Sequence, residues 1–592
     1  MTRAALANFV DTNHLAFSRW VRPTGLGRRL LMRPSGAIAS RRLCWLVLLF
    51  LGGLVLGGLG CASSTESDLP SRAAASVKES VVRLASASTA TPVASDGIYS
   101  LGGWATLHRG PANRKLVPSA PLGGAYSIWT ALPGAAVLTA PTMSPDGRSL
   151  YVASGKASGH ANLSAFDLEG NLLWDSGAWQ NSEEGVDPCA ILSSPIVDDE
   201  GDIYLGDCNQ LFAYHADGRL KWRVPLPAVQ DGDWVASDRI PVNALTTAVF
   251  TKAGNVLGVT NAGDIVIFDR MDGRVLNAPM RLPGHVPPLS PMPMPKSIFG
   301  EGLVDPEIRE WSWQLLFGGA MRSANTPAVE MESGRVFVAA TSTEVGKGAL
   351  YALDLVETSP GEVGVKIAFS TDMGPGSGSS PSLSPSGHQV YVSDEEGQFY
   401  GVDARTGEIV WTLLTKAASA AAAVGANGDV FTLQADGPAL IAMTEVGERR
   451  WESDLDALAK AALPSSGWLG EPVAAGNGNP TVVGDRVLVP VVYGYVAKLG
   501  RRKVTLPVLS SLVSVDIETG VGLRDLVSLE DDSTGITAVL SDGTIVSSLG
   551  TALTSGVSPL AGFARLILPG DLELLAPRGG IQVSRPLGES RR

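Results

Sequence analysis

A short pattern recurs along this chain and constrains its fold more than any other feature of the sequence. In the copy from Gln398 to Trp411, alternating large and small residues lead to Asp403, then to a Thr-Gly turn, and then to an apolar run that ends on tryptophan. Alternation with a period of two is typical of a strand, and glycine favours a tight turn because it readily adopts a positive φ. The pattern therefore predicts a β-hairpin.

Three more copies of this hairpin keep the tryptophan, and three looser copies keep the aspartate instead. The tryptophans of the four better copies are Trp174, Trp222, Trp411 and Trp451, and the looser copies surround Asp269, Asp354 and Asp516. Within each cluster, neighbouring copies lie roughly 40 to 50 residues apart, which is the length of a four-stranded propeller blade. A single hairpin cannot bury its apolar faces alone, so we expect the copies to stack as blades, with the four tryptophans docking adjacent blades.

Each blade also opens with its own hairpin signal, in which an apolar strand, a polar turn and a second apolar strand follow one another. These openings begin near residues 140, 193, 246, 326, 380, 420, 480 and 536. Eight blades are therefore predicted, or seven if one weak copy is misread. The last blade is expected to end with the segment Phe563 to Leu575, and Tyr126 to Leu132 is a candidate for the strand that closes the ring.

The repeats resemble the PQQ-like repeat of quinoprotein alcohol dehydrogenase-like β-propellers, which reads roughly Leu-Tyr-Ala-Leu-Asp-x-x-Thr-Gly-x-x-x-Trp. The resemblance extends from about Trp104 to Leu575, and the lead-in from Trp104 to Arg114 is also similar to that of the family. It implies an all-β propeller of four-stranded antiparallel blades. Because propellers host both enzymes and binding proteins, the fold by itself leaves the function open.

An apolar run precedes the repeats. Arg41 and Arg42 are followed by the uncharged stretch Leu43–Leu59 and then by Gly60 and Cys61. Basic residues, an apolar centre and small residues before a cysteine are typical of a secretory signal with a lipidation site. We predict cleavage before Cys61 and lipidation of its sulfur. The alternative is an uncleaved transmembrane anchor of about 17 residues, which is close to the shortest length that spans a bilayer.

The composition changes along the chain and suggests four segments. Residues 1–60 form the targeting segment, and residues 61–100, rich in Ser, Ala and Thr, form a lipidated and flexible tether. Residues 101–577 form the propeller, and residues 578–592 are expected to be a disordered tail. This layout is that of a lipoprotein whose folded domain is held away from the membrane.

Two stretches interrupt the repeat. Residues 277–323 are rich in Pro and Met before they reach Trp311, Trp313 and Phe317, and the second stretch runs from Val491 to Pro507. Long loops inside a compact repeat domain are usually functional or disordered. The three aromatic residues are therefore a candidate partner-binding loop. Alternatively, they pack on the face of the propeller.

The resemblance raises the possibility of a quinone cofactor. Family dehydrogenases carry a disulfide between adjacent cysteines above the cofactor, together with Ca²⁺ ligands and an aspartate base, and this sequence has no adjacent cysteine pair. We expect the repeat aspartates, such as Asp167, Asp403 and Asp516, to accept backbone N–H bonds in their own turns. The six histidines are scattered, without the spacing of a metal site. No catalytic, cofactor-binding or metal-binding residue is therefore predicted.

The chain contains four cysteines. Cys44 would leave with the signal and Cys61 would carry lipid, so Cys189 and Cys208 remain as an even pair. Export places them in an oxidising compartment, where disulfides persist. A disulfide between them would stabilise the fold by about 3 kcal/mol on the chain-entropy model. Two free buried thiols are the alternative.

Charge and anchoring together suggest a function. A net charge of −13 argues against a nucleic-acid partner, because phosphate binding needs an excess of Lys and Arg. We predict an outer-membrane lipoprotein, facing the periplasm or the cell surface, that binds other envelope proteins as a scaffold. The alternative is a quinone-dependent or sugar-acting enzyme that uses the central funnel of the propeller.

The anchor can be tested by the substitution Cys61→Ser. Stable attachment without a spanning helix requires the acyl chains on this cysteine, so the variant should become soluble or accumulate as an uncleaved precursor. Membrane fractionation and intact-mass measurement report the outcome. A Cys61→Ser protein that stays with the membrane at the mature wild-type mass would contradict lipidation.

Overall fold

Eight blades, each of four antiparallel strands, form a β-propeller, and two further strands join the sheet of blade 7. The computed structural model describes residues 98–99, 103–157, 159–180, 185–228, 230, 235–237, 240–241, 243–286, 321–376, 378–417, 421–435, 437–476, 478–499, 502–533, 535–549 and 560–587. The predicted all-β fold with eight blades is confirmed, and the alternative with seven is wrong. All eight innermost strands begin within about three residues of the predicted positions.

The strands of each blade follow one another in the chain from the innermost to the outermost, except in blade 8. Blade 1 comprises Thr142–Met143, Ser149–Ala153, Leu163–Asp167 and Leu172–Asp175, and blade 2 comprises Ile196–Val197, Ile203–Gly206, Gln210–Tyr214 and Leu220–Pro225. Blade 3 comprises Val249–Phe250, Val256–Val259, Asp264–Phe268 and Met280–Arg281, and blade 4 comprises Ala328–Val329, Val336–Thr341, Gly348–Ser359 and Glu362–Met373. Blade 5 comprises Ser382–Leu383, Gln389–Ser393, Gln398–Asp403 and Ile409–Leu414, and blade 6 comprises Ala423–Val424, Val430–Gln434, Ala439–Met443 and Arg449–Asp454. Blade 7 comprises Thr481–Val483, Arg486–Leu499, Arg502–Asp516 and Arg524–Leu529.

Blade 8 closes the ring with strands from both ends of the domain. Ala538–Val539, Ile545–Ser548 and Ile581–Pro586 come from the C-terminal part, and Tyr126–Ala131 adds the outermost strand, as the sequence predicted. The third strand was not foreseen. The segment Phe563 to Leu575 contains helix Ala561–Ile567 rather than a strand. The disordered tail predicted from residue 578 is corrected, because Ile581 and Val583 are buried in the core of this blade.

Blade 7 carries an extension. Its second and third strands, Arg486–Leu499 and Arg502–Asp516, continue well beyond the blade as a long hairpin, so the loop predicted from Val491 to Pro507 is wrong. The many Val, Leu and Tyr residues in this stretch form a two-stranded ladder whose apolar side chains pack against the core. Strand Val473–Gly476 adds to the hairpin.

Few other elements occur in the described part of the chain. They are the helix Asp456–Ala462, the 3₁₀ helix Pro188–Leu192, the strand Leu116–Val117, which pairs in parallel with Thr481–Val483, and the small sheet of Val235–Ser237 and Ile240–Pro241. None of the helices in the described ranges has the length and apolar character needed to cross a membrane.

Neighbouring blades are joined by an indole that packs on a glycine. Trp174 in blade 1 lies on Gly218 of blade 2, where a Cβ atom would come within 2.6 Å of the indole and where φ is +84°. Its Nε1 donates a hydrogen bond to the carbonyl oxygen of Ala216 at 2.9 Å. The same indole-glycine contacts join Trp129 to Gly170, Trp222 to Gly273, Trp411 to Gly447 and Trp451 to Gly520, and each Nε1 donates to a carbonyl of the following blade. The four tryptophans singled out in the sequence thus lie between blades.

Blade 4 makes the same junction without a tryptophan. Phe369 lies on Gly407 of blade 5, where a Cβ atom would come within 2.5 Å of the ring. The hydrogen bond comes instead from Arg335, whose Nη1 donates to the Ala404 carbonyl at 3.1 Å. Arg335 also pairs with Asp354 at 2.8 Å and lies over the Phe369 ring. A phenylalanine and an arginine together therefore replace one indole.

Truncation of an interblade tryptophan should destabilise the whole domain. Trp451 is only 9% exposed, so Trp451→Ala removes a large buried side chain and should lower the free energy of unfolding by roughly 3–5 kcal/mol. Trp468, which is 90% exposed, provides the control, and Trp468→Ala should change stability by less than about 0.5 kcal/mol. Urea unfolding measures both. Equal effects of the two substitutions would contradict an interblade role.

Candidate functional site

The centre of the propeller contains a segment of the chain itself. This axial segment, Gly103–Val117, follows the ring of innermost strands and accepts hydrogen bonds from their backbone N–H groups. The donors belong to blades 1, 2, 4, 5, 6 and 7 and are Met143, Val197, Val329, Leu383, Val424 and Val482. Blade 3 is contacted by Tyr99, just before the axial segment begins: the Phe250 N–H donates to the Tyr99 hydroxyl at 2.8 Å. The axial segment therefore ties together blades that lie far apart in the chain.

Asn113 fixes the axial segment at its middle. Its Nδ2 donates to the carbonyl oxygens of Thr326, Pro327 and Pro381 at 3.1, 3.0 and 2.9 Å. Its φ of +55° is tolerated because an asparagine adopts the left-handed region more readily than most residues. Non-glycine residues with positive φ cluster at functional or structurally essential positions, and Arg109 and Lys115 also adopt positive φ here.

Two ionisable groups of the axial segment are fully buried. Lys115 Nζ donates to the Ala422 carbonyl, and burial lowers the pKa of this ammonium group to about 7. Burial, and secondarily the Lys115 charge, holds the pKa of His108 well below its usual value. Neither ring nitrogen of His108 has a partner in the described part of the chain. A ligand entering the channel at this level would have to displace these side chains and the backbone hydrogen bonds around them.

The repeat aspartates serve the turns, as expected. Asp403 Oδ1 accepts hydrogen bonds from the backbone N–H groups of Arg405 and Thr406 at 2.9 and 2.7 Å. The Thr406 N–H bond is the main cause of a lowered pKa at this carboxyl group. Asp167 and Asp516 accept equivalent bonds in their own turns. These carboxylates thus stabilise hairpins at the outside of the blades rather than facing the axis.

Cys189 and Cys208 are joined by a disulfide, with Cα atoms 4.9 Å apart. Two buried carboxylates flank it. Asp187 Oδ1 accepts the N–H groups of both cysteines, at 2.8 and 3.3 Å, and the Asp187 N–H donates to Asp207 Oδ2 at 3.3 Å. Burial raises the pKa of Asp207 to about 7, and burial together with the Asp207 charge raises the pKa of Asp187 well above its ordinary value.

The predicted site residues do not converge on one place. The four tryptophans are distributed between four pairs of blades. The disulfide connects the 3₁₀ helix that precedes blade 2 to the turn between the second and third strands of that blade. Cys61 and the candidate partner loop with Trp311, Trp313 and Phe317 lie outside the described residues. Sequence reasoning missed the Asp187–Asp207 pair, although each aspartate stands within two residues of a bridging cysteine. Sequence reasoning also identified the lead-in from Trp104 to Arg114 but did not place it in the central channel of the propeller.

Comparison with known proteins finds a matching family and similar solved structures. Residues 159–357 and 359–528 match the family described as outer membrane protein assembly factor BamB, which confirms the predicted PQQ-like repeat. Similar solved structures include BamB from Moraxella catarrhalis, at 14% identity and a TM-score of 0.41 over 78% of this chain and 100% of that one. A europium-containing methanol dehydrogenase is 13% identical, with a TM-score of 0.48 over 82% of this chain and 98% of that one.

A third similar structure is the quinohemoprotein alcohol dehydrogenase from Comamonas testosteroni. It is 13% identical, with a TM-score of 0.49 over 82% of this chain and 81% of that one. Among curated proteins, none matches the sequence.

The buried acid pair should make stability depend on pH. Because the pKa of Asp207 in the folded protein lies above that of an exposed aspartate, the folded protein binds more protons than the unfolded one between about pH 4 and 7. The stabilisation is therefore complete below about pH 4 and is lost as the pH rises to about 7. Asp207→Asn, which keeps an acceptor oxygen, should reduce this loss by more than about 1.4 kcal/mol, the equivalent of one pKa unit.

Urea unfolding between pH 4 and 8 measures this difference, and the exposed Asp571→Asn serves as the control. If Asp207→Asn has the same pH profile as both the control and the wild type, the acid pair does not titrate in this range.

Proposed function

Because the chain belongs to the family described as outer membrane protein assembly factor BamB, we propose that it is a β-propeller scaffold that binds other proteins of the cell envelope. The single observation that carries this proposal is the axial segment. The central funnel, where an enzyme of this fold would place its chemistry, contains the buried side chains of Asn113, Lys115 and His108. Asn113 and Lys115 donate hydrogen bonds to carbonyl groups of Pro381 and Ala422, which precede the innermost strands of blades 5 and 6.

The two faces of the ring are then the surfaces for binding. Antiparallel strands place the turns between second and third strands on one face and the turns between third and fourth strands on the other. Turns on both faces present apolar side chains to solvent: Val345 of blade 4 is 78% exposed, and Val521 of blade 7 is 65% exposed. Loops held on a rigid ring of strands are well placed to contact a partner over a broad area.

The anchor completes the proposal. Lipidation at Cys61 followed by the tether to about residue 100 would hold the propeller at the outer membrane, in reach of envelope proteins but free to turn. The loop with Trp311, Trp313 and Phe317 would contribute aromatic side chains, which are enriched at the centres of protein interfaces.

Site-specific photo-cross-linking in intact cells tests the scaffold function. A photoreactive residue in place of Val345 or Val521 should give protein adducts of discrete mass from at least one face, because a scaffold holds its partners there. Titration of the purified full chain with pyrroloquinoline quinone and Ca²⁺ should leave the absorbance spectrum of the quinone unchanged. Stoichiometric quinone binding with dye-linked dehydrogenase activity, and no adducts from either face, would favour the enzyme instead.

A further inference from the structure

The outermost strand of each blade has one unpaired edge, and proteins usually protect such edges with charge. A row of free N–H and C=O groups is a template for pairing with another strand, and charged side chains oppose this. Six of the eight outermost strands contain at least one charged residue, and the exceptions are those of blades 5 and 8. In blade 8, the exposed positions of Tyr126–Ala131 are mostly hydroxyl residues, with Ile128 as the only large apolar one.

The outermost strand of blade 5 is uncharged and apolar. This blade 5 edge, Ile409–Leu414, reads Ile-Val-Trp-Thr-Leu-Leu. Ile409, Val410 and Leu414 are 43, 53 and 54% exposed. Leaving three such side chains in contact with water costs about 25 cal/mol for each Å² of apolar area that a partner would cover.

The backbone of the blade 5 edge is regular from Trp411 to Leu414, the residues available to pair with another strand. A bulge at Val410 interrupts the ladder with the third strand, but from Trp411 to Leu414 the register continues without a break opposite Gly401 to Gln398. In the described part of the chain, no strand pairs with its outer side. Alternation places Thr412 and Leu414 on the exposed face, whereas Trp411 and Leu413 are half-buried against the blade core.

We propose that the blade 5 edge binds an extended, uncharged and apolar segment of a partner protein, which adds to the blade as a fifth strand. Main-chain hydrogen bonds to Trp411–Leu414 would supply affinity, and contacts with Thr412 and Leu414 would select apolar and β-branched side chains. The proposal rests on the scaffold function and names the chemistry of one partner. A second copy of this chain fits less well, because each copy carries a net charge of −13.

Hydrogen exchange on the full chain tests strand addition directly. The probe is a capped octapeptide of alternating Val and Thr, compared with the same peptide N-methylated at every second residue. At ten times its dissociation constant, the unmodified peptide should slow exchange in Trp411–Leu414 by about tenfold. The N-methylated peptide, which cannot form the ladder, should have no effect.

Two matched substitutions locate the effect. Leu414→Lys places a charge on the blade 5 edge and should abolish protection by the peptide, with an unchanged melting temperature. Leu220→Lys is the control, since Leu220 is 52% exposed on the outermost strand of blade 2, which already contains Lys221 and Arg223. This control should leave the protection intact.

Three results would overturn the proposal: protection that survives Leu414→Lys, equal protection by the N-methylated peptide, or protection confined to other blades. If the wild type sediments as a dimer and Leu414→Lys sediments as a monomer, the strand that pairs with the blade 5 edge comes from a second copy of this chain and not from a partner protein. The outcome is separable from that of the scaffold test. Absence of adducts at Val345 and Val521 together with stoichiometric quinone binding would refute the scaffold function, whereas adducts without peptide protection would refute strand addition alone.

Discussion

The propeller depends on the contact between one blade's indole and the next blade's glycine. A tryptophan over a glycine with positive φ lets the turn of the following blade approach to a distance that a Cβ atom would prevent, as at Gly447 under Trp411. The indole N–H then satisfies a carbonyl that the turn leaves free. Apolar burial and hydrogen bonding are thus achieved by one side chain. Where Phe369 replaces the indole, Arg335 supplies the hydrogen-bond donor, so apolar packing and hydrogen bonding are both kept at this junction.

The axial segment has a different role, because it connects blades that are not neighbours. Its hydrogen bonds run from blade 1 to blade 7 and satisfy the inner edges of strands that would otherwise face an open channel. Burying Lys115 and His108 there is unfavourable by itself, since burial opposes the charged form of each. The unfavourable burial is offset by the backbone bonds that surround it. With the centre occupied in this way, the faces and the outer edges of the ring are the surfaces left to a partner under the proposed function.

The outer edges differ from one another in a way that bears on function. Most blades carry charge on the outermost strand, whereas the blade 5 edge exposes only uncharged residues. An unprotected strand edge is an aggregation hazard unless a partner covers it. Under the proposed scaffold function, partners in the cell envelope would cover this edge, so the same feature that endangers an isolated protein would serve recognition in the assembled one.

The sequence by itself determined the hairpins and the strand that closes the ring and favoured eight blades over seven, because strand period and turn chemistry are local and recur at a fixed spacing. It also identified the cysteine pair by counting. Only the tertiary structure decided where the lead-in lies, because Asn113 bonds to Pro381 across 268 residues and no local pattern encodes that contact. The last strand, Ile581–Pro586, was missed although Ile581 and Val583 alternate with polar residues, because so short a segment becomes a strand only when blade 8 offers two neighbours to pair with.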